Sequence, residues 1–356
     1  MARAHSDEWP VSAPSPRCRA IEDRRRRAGL AKYISRPPLR LGICTSSLLV
    51  VVGLTFLGCG VSVTRAGSNQ LRWAPPHLVD PTTITLGNGY TDTYLEPSRD
   101  YIVKLPKNDK LGGVTLEGGH NIVIIGGQIT VPANPAPAGH FYDRYRTGLY
   151  IKGATGTVHV EGVLFRGTRH AVWDAIDINA PKAAVQLENI RAEGVHGGFW
   201  TFHADVVQPW GGVRALRIDY LTGTSNYQGL TLPIDEGPIG SAQVSHVNLR
   251  GLDSEIELGG HLIWLTTRST SCRSYPVELT DVYVQPRPGL TLAESVWPQR
   301  GRPRRCAVKA VHGRYVFWPS LSDIRGRVLS GLPPGGSYVP SGVAGTNYVS
   351  PGYLEN

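Results

Sequence analysis

Four stretches of this chain repeat one interval between two apolar strands. "GVTLEGGHNIVIIGGQI", "GLYIKGATGTVHVEGVLF", "AIDINAPKAAVQLENIRA" and "DVVQPWGGVRALRIDYLTG" each hold an apolar strand, a short turn and a second apolar strand. From Val114 to Ile125, Leu149 to Val160, Ile176 to Leu187 and Val207 to Ile218 the interval is 11 residues. Two looser units follow, 14 residues from Leu230 to Val244 and 16 from Ile263 to Leu279. The first anchors succeed one another at 35, 27, 31, 23 and 33 residues, which suits coils of fixed core with insertions in one set of turns.

The second strands, "VHVEGV", "VQLENI", "LRIDYL", "QVSHV" and "VELTDV", alternate apolar with polar residues. Alternation turns one set inward and the other outward. With 42 Gly and 27 Pro and no long helical periodicity, the chain reads as all-β and turn-rich. Short strands in a fixed register, without intervening helices, predict a parallel β-helix, a solenoid whose inward residues form continuous stacks. A β-sandwich needs no such register between successive strand pairs. The pattern resembles the pectin-lyase-like superfamily of right-handed parallel β-helices over about residues 80–330. That resemblance implies the right-handed coil and leaves function open, because the fold carries lyases, hydrolases, epimerases, adhesins and inert proteins.

The ends read differently. Residues 1–40 form a basic, disordered N-terminal region that includes the run Arg24–Arg27. Residues 41–63, "LGICTSSLLVVVGLTFLGCGVSV", carry no charge over 23 positions, enough to span a bilayer. With its basic flank the segment reads as a transmembrane anchor, as a cleaved signal peptide, or as a lipoprotein signal ending at Cys59. All three readings export the body. Residues 64–79 are a linker and 331–356 a C-terminal tail. Of the net charge of +9, residues 1–63 hold +6, so the body is nearly balanced and offers little electrostatic reason to bind nucleic acid. The body keeps two cysteines, Cys272 and Cys306, which outside the cytoplasm are candidates for a disulfide.

Aligning the first strands on Ile176, Val207, Leu230 and Ile263 puts Asp177, Gln208, Thr231 and Trp264 in one outward column. Two positions before the anchors stand Asp174, Asp205, Gln228 and His261. Polar residues in that column argue for a bend at the start of each strand that carries them outward. Asp174 and Asp205 then share one exposed site on adjacent coils, about 4.8 Å apart. Carboxylates that close repel when both are ionised. A shared proton, a bound cation or divided acid and base roles at a glycosidic bond would each account for them. "DAIDI" also resembles the "DGIDI"-type segment of polygalacturonase-like hydrolases, which implies catalytic roles for Asp174 and Asp177. No "GHG", no "RIK" and no pectate-lyase arginine signature accompanies it, so hydrolase and lyase both stay open.

The expected site has Asp174, Asp205 and His203 in catalysis. Asp177, Gln208, Lys152, Asn179, Arg144, Arg146 and His261 would bind substrate. Arg144 and Arg146 belong to the Pro- and Gly-rich insertion 132–148, with His140, Tyr142, Asp143 and Tyr145, and would grip a carboxylated sugar. Trp200, Trp210 and Trp264 serve either as packing or as a stacking platform for sugar rings. No cofactor is required, though a Ca²⁺ between Asp174, Asp177 and Asp205 fits carboxylate ligation. No phosphate loop, "HExxH" or paired "CxxC" supports nucleotide or zinc chemistry. The expectation is an exported, polysaccharide-active hydrolase or lyase, membrane-anchored through residues 41–63 or secreted. Its alternative is a non-catalytic surface protein that binds a glycan or another protein.

Overall fold

The computed structural model describes residues 70–134, 143–199, 202–253, 260–267, 272–298 and 306–354. The leader 41–63 with Cys59, and also His140, Tyr142 and Trp200, lie outside the described residues. The chain divides into compact units Met1–Val63 and Thr64–Asn356, and every described residue belongs to the second. Among the described residues no helix is long and apolar enough to cross a membrane.

The described body is all-β, with two short 3-10 segments at Asp143–Arg146 and Leu292–Glu294. Its sheet is mostly parallel, an arrangement compatible with a β-helix. The chain runs in turn through three parallel ladders. In the first, Val114, Leu149, Ile176, Val207, Leu230, Ile263 and Val296 are successive partners. In the second, Ile124, Val160, Leu187, Ile218, Val244 and Leu279 stack the same way. The third stacks Ile190, Leu221, Val247, Val282 and Val328. All of these side chains belong to the buried core. Each stack keeps one apolar column out of water along the length of the ladder, which is the main source of stability in such an array.

The first unit departs from the expected frame. Ile124, not Ile125, faces Val160, so its interval is 10 residues, and Ile125 lies opposite Glu161 at 46% exposure. The run "IVII" is apolar at every position, so alternation cannot choose its frame.

A left-handed residue turns the chain from the second ladder to the third, followed in the first coil by Gly127 at φ 102°. Gly126, Gly162, Asn189, Tyr220, His246 and Asp281 occupy this corner, with φ between 46° and 69°. Gly, Asn, Asp and His tolerate that region; a tyrosine does so at a cost. Tyr220 is held by its neighbours, stacking on His246 at 4.6 Å and meeting Tyr338 edge-on at 6.1 Å. Lys309–Val311 pairs antiparallel with Tyr315–Phe317, which in turn pairs antiparallel with Val328–Ser330. Cys272 and Cys306 form a disulfide with Cα atoms 6.1 Å apart.

Candidate functional site

Beside the inward stack of the first ladder, alternation sends the next column outward. Thr115, Tyr150, Asp177 and Gln208 are partners across four successive strands, and Thr231, Trp264 and Trp297 across three more. The register expected for Asp177, Gln208, Thr231 and Trp264 is the one observed.

Asp174 and Asp205 sit on adjacent coils, and the Asp205 backbone N–H donates to Asp174 Oδ1 at 2.5 Å. The Thr231 hydroxyl donates to Asp205 Oδ1, so that carboxylate reaches the outward column as the bend requires. Thr147 Oγ1 donates to Asp177 Oδ2 at 2.8 Å. The exposed site expected for this pair is corrected by the packing: Asp174 is 3% exposed, Asp205 0% and Asp177 8%. The reason is local. Each carboxylate accepts from a donor on a neighbouring strand, which draws it against the sheet and out of water. Gln228 and His261, in the same column, are buried as well.

The remaining expected residues scatter along the face. His203 is exposed, with Nε2 on the Phe199 carbonyl at 3.0 Å and its ring 5.7 Å from Phe199 and 5.6 Å from Tyr227. A carbonyl only accepts, so Nε2 carries the proton of that bond. His261 packs edge-on against Trp264 and Trp297 at 5.6 and 5.1 Å, and those two indoles lie 5.0 Å apart. Lys152 pairs with Glu117 at 3.1 Å. Arg144 pairs with Asp92 at 3.2 Å and lies over the Tyr145 ring. Arg146 donates to the Val172 carbonyl at 3.4 Å and lies over Phe202. Asn179 packs on Gly211, where a Cβ would come within 2.0 Å of its Cγ, so any larger residue there would have to displace the Asn179 side chain.

Other side chains at this face escaped the sequence reading. Tyr150 fills the outward column between Thr115 and Asp177; burial pushes its hydroxyl well above the ordinary value. Its ring stacks on Trp210 at 5.9 Å, and Trp210 is 38% exposed. Glu236 accepts from Gln208 Nε2 at 3.0 Å. It stands in "PIDEGP", an acidic pair flanked by Pro and Gly after a first-ladder strand, and that placement was a readable signal of a loop over the face. Among the described residues no three His, Cys, Asp or Glu side chains are gathered so as to hold a metal ion, Asp174, Asp177 and Asp205 included.

A second polar row, unforeseen from the sequence, lies on the outer side of the second ladder. Glu161, Glu188 and Asp219 are partners on successive strands, and all three are buried. Both ends of the described chain cover them. Tyr348 and Tyr353 hydroxyls donate to Glu161 at 2.6 and 2.5 Å, and the Trp73 N–H donates to Glu188 at 2.8 Å. Leu71 bonds to Gly352 and Leu354, which ties the two ends together. Burial pushes Glu188 up to about 9, with Asp219 and Glu161 adding to the shift. Burial opposes ionisation of Glu161 too, but bonds from His159, Tyr348 and Tyr353 hold it below the ordinary range. The hydrogen bond that His246 Nδ1 donates to Asp219 raises the imidazole above its ordinary value.

Compared with protein families, characterised proteins and solved structures, the chain matches none.

Proposed function

We propose that the body is a right-handed parallel β-helix of the pectin-lyase-like kind, exported, and active on a polysaccharide along the outer face of the first ladder. The observation that carries this reading is one row in which carboxylates lie between aromatic rings. Along the outward column Tyr150 precedes Asp177 and Gln208, and Trp264 and Trp297 follow; Trp210, from the strand of Gln208, stacks back on Tyr150, and Glu236 meets Gln208 from an adjoining loop. From Tyr150 to Trp264 the column crosses four strand spacings, about 19 Å, room for several sugar units. Aromatic faces suit the apolar faces of pyranose rings, and carboxyls between them can protonate a leaving oxygen or activate water.

In this reading Asp177, the least buried of the three aspartates, meets the substrate, with Glu236 presented beside it by Gln208. Asp174 and Asp205 fix the bend at the start of their strands and so position Asp177. His203 lies exposed two residues before Asp205. Burial of Asp174 and Asp205 favours a second reading, a non-catalytic glycan binder.

A panel of polysaccharides incubated with the full-length protein separates these. Hydrolysis yields new reducing ends alone. A lyase yields products that absorb in the ultraviolet through a new C=C bond. Retention of a glycan with neither product supports the binder. Absence of both products and of retention, with every polysaccharide, rules out a glycan role.

A further inference from the structure

We infer that the Cys272–Cys306 disulfide is a positioning device: it sets the Trp264–Trp297 pair on the outer face of the first ladder, and opening it disables that platform while the coils stay folded. The use of the platform rests on the glycan reading above; the positioning does not. The first ladder is at its shortest here. Ile263–Trp264 and Val296–Trp297 are strands of 2 residues, whereas the strand of Ile176 pairs with that of Leu149 from Asp174 to Asn179. So short a ladder fixes two large side chains weakly, and the segments that follow supply the rest. Trp264 Nε1 donates to the Thr266 carbonyl at 2.7 Å, and Trp297 Nε1 to the Thr267 carbonyl at 3.4 Å. Thr267 is joined twice to Arg273. Its N–H donates to the Arg273 carbonyl, and its hydroxyl oxygen accepts from the Arg273 N–H, both at 3.2 Å. Arg273 directly follows Cys272. On the other coil Val308, two residues after Cys306, donates its N–H at 3.0 Å to the carbonyl of Pro298, which follows Trp297. The disulfide closes the circuit, so a covalent bond stands between the backbone beside Trp297 and the carbonyl that its indole meets. Cys272 is itself left-handed, with a φ of 54°. That conformation is costly for a residue with a side chain and persists where its surroundings hold it. The bond to Cys306 on one side and the Arg273–Thr267 pair on the other are such surroundings. A stacking platform needs rings held in one plane against the sugar, and an indole free to turn loses that advantage. Opening takes a dithiol, which gives two electrons and two protons, becomes a disulfide itself and leaves both cysteines as thiols.

The test compares four forms of the full-length protein: wild type, Trp264→Ala, the disulfide-free pair Cys272→Gly with Cys306→Ala, and all three substitutions together. Glycine takes the left-handed φ freely, so loss of the bond is not mixed with backbone strain. Two indoles 5.0 Å apart couple their transitions and give a paired band in far-ultraviolet circular dichroism, which the difference between wild type and Trp264→Ala isolates. The band should vanish in the disulfide-free protein, and adding Trp264→Ala should then change nothing further, because both remove one arrangement. Retention on immobilised β-glucan, chitin and polyuronate should fall at least about tenfold on whichever of these wild type binds, again with no further loss on adding Trp264→Ala. Melting should stay cooperative. Wild type reduced with dithiothreitol, its opening confirmed by a thiol count, should behave alike and serves if the variant fails to fold. A disulfide-free protein that melts lower but keeps the band and the retention overturns the inference; the bond is then a stabilising cross-link, and the glycan reading stands. A lost band with retention kept overturns it as well, since the pair then holds no glycan. Wild type retained on no polymer overturns the glycan reading, and the band alone decides the positioning.

Discussion

The outer faces of the first and second ladders are built alike and end differently. Each carries acidic side chains on successive coils beside an inward apolar stack, Glu161, Glu188 and Asp219 one residue after it on the second ladder and Asp174 and Asp205 two residues before it on the first. On the second ladder the chain covers the row with its own ends, and Tyr348, Tyr353 and Trp73 supply the donors. On the first ladder the donors come from neighbouring strands of the same face, and aromatic rings flank the row. The covered face puts its polar groups to structural use. The other keeps a solvent-exposed indole and a carboxyl on an adjoining loop. Outward is therefore not the same as exposed. Alternation selects the side of the sheet, and the rest of the chain decides whether water reaches it.

The largest expected effect falls on what the two faces share. Val207 stacks between Ile176 and Leu230 with no exposure. Val207→Asp places a carboxylate in that stack with no partner. It should cost more than about 5 kcal/mol and abolish the cooperative unfolding transition. A Val207→Asp protein that melts near wild type would remove the common interior on which the comparison stands.

Next comes a pH dependence belonging to the covered face. Glu188 has its carboxyl raised from 4.5 to about 9. Between those values the folded protein holds a proton that the unfolded chain has released, so stability falls as pH rises. The slope is about 1.4 kcal/mol per pH unit, or about 4 kcal/mol from pH 5 to 8. His246, also raised, acts in the same direction above its ordinary value of 6.5. Glu161, lowered, acts oppositely, and its stabilisation is lost only on acidification below 4.5. Glu188→Gln keeps an acceptor for the Trp73 N–H and carries no proton to lose. Denaturant titrations at pH 5 and 8 should show the wild type losing markedly more stability than this variant. Parallel losses in the two proteins would mean that Glu188 is ionised in its covered site.

Removing a roof donor is a smaller perturbation. Tyr348→Phe takes one hydroxyl from Glu161 and deprives Asn189 Nδ2 of its acceptor. A hydrogen bond to a charged group contributes about 1.5–3 kcal/mol, and the variant should lose that much in a urea titration while turnover is untouched. A loss of turnover matching that of a first-ladder variant would show that the two faces are not independent.

The inward columns were legible from the start, since the 11-residue interval, which holds in three of the four units, specifies register without any knowledge of the turns. The frame slipped only at Ile124 and Ile125, where four apolar residues in a row erase the alternation. The outward aspartates were legible as neighbours: Ile176 and Val207 aligned correctly, and Asp174 and Asp205 followed. Their burial was not, because it depends on the Asp205 backbone N–H that Asp174 accepts from and on the Thr231 hydroxyl that donates to Asp205, contacts that show no pattern in sequence. The covered row was invisible for a further reason. Tyr348 and Tyr353 lie 187 and 192 residues from Glu161, in a tail without periodicity. Glu236 was missed although its loop carried a signal, because the alignment followed strands and passed over the insertions between them.

The smallest expected change in stability tests the assignment of the open face. Asp177 accepts from Thr147 and is the least buried of the three aspartates. Asp177→Asn retains a carbonyl oxygen for that bond and should cost about 1 kcal/mol, at the low end of the range for a buried hydrogen-bonding group. Asp174→Asn and Asp205→Asn place an amide N–H₂ where a buried acceptor stood, and should cost about 1–2 kcal/mol each. If Asp177 meets the substrate as acid, base or nucleophile, kcat/KM on a cleaved polysaccharide should fall by at least about 100-fold in Asp177→Asn at an only slightly lowered melting temperature. Glu188→Gln should do the reverse, moving the pH dependence of stability and leaving kcat/KM alone. That crossed result separates a face that works on a ligand from one that holds the chain ends. Asp177→Asn cleaving at the wild-type rate would strip the first ladder of its catalytic role and leave glycan binding as the reading for that face.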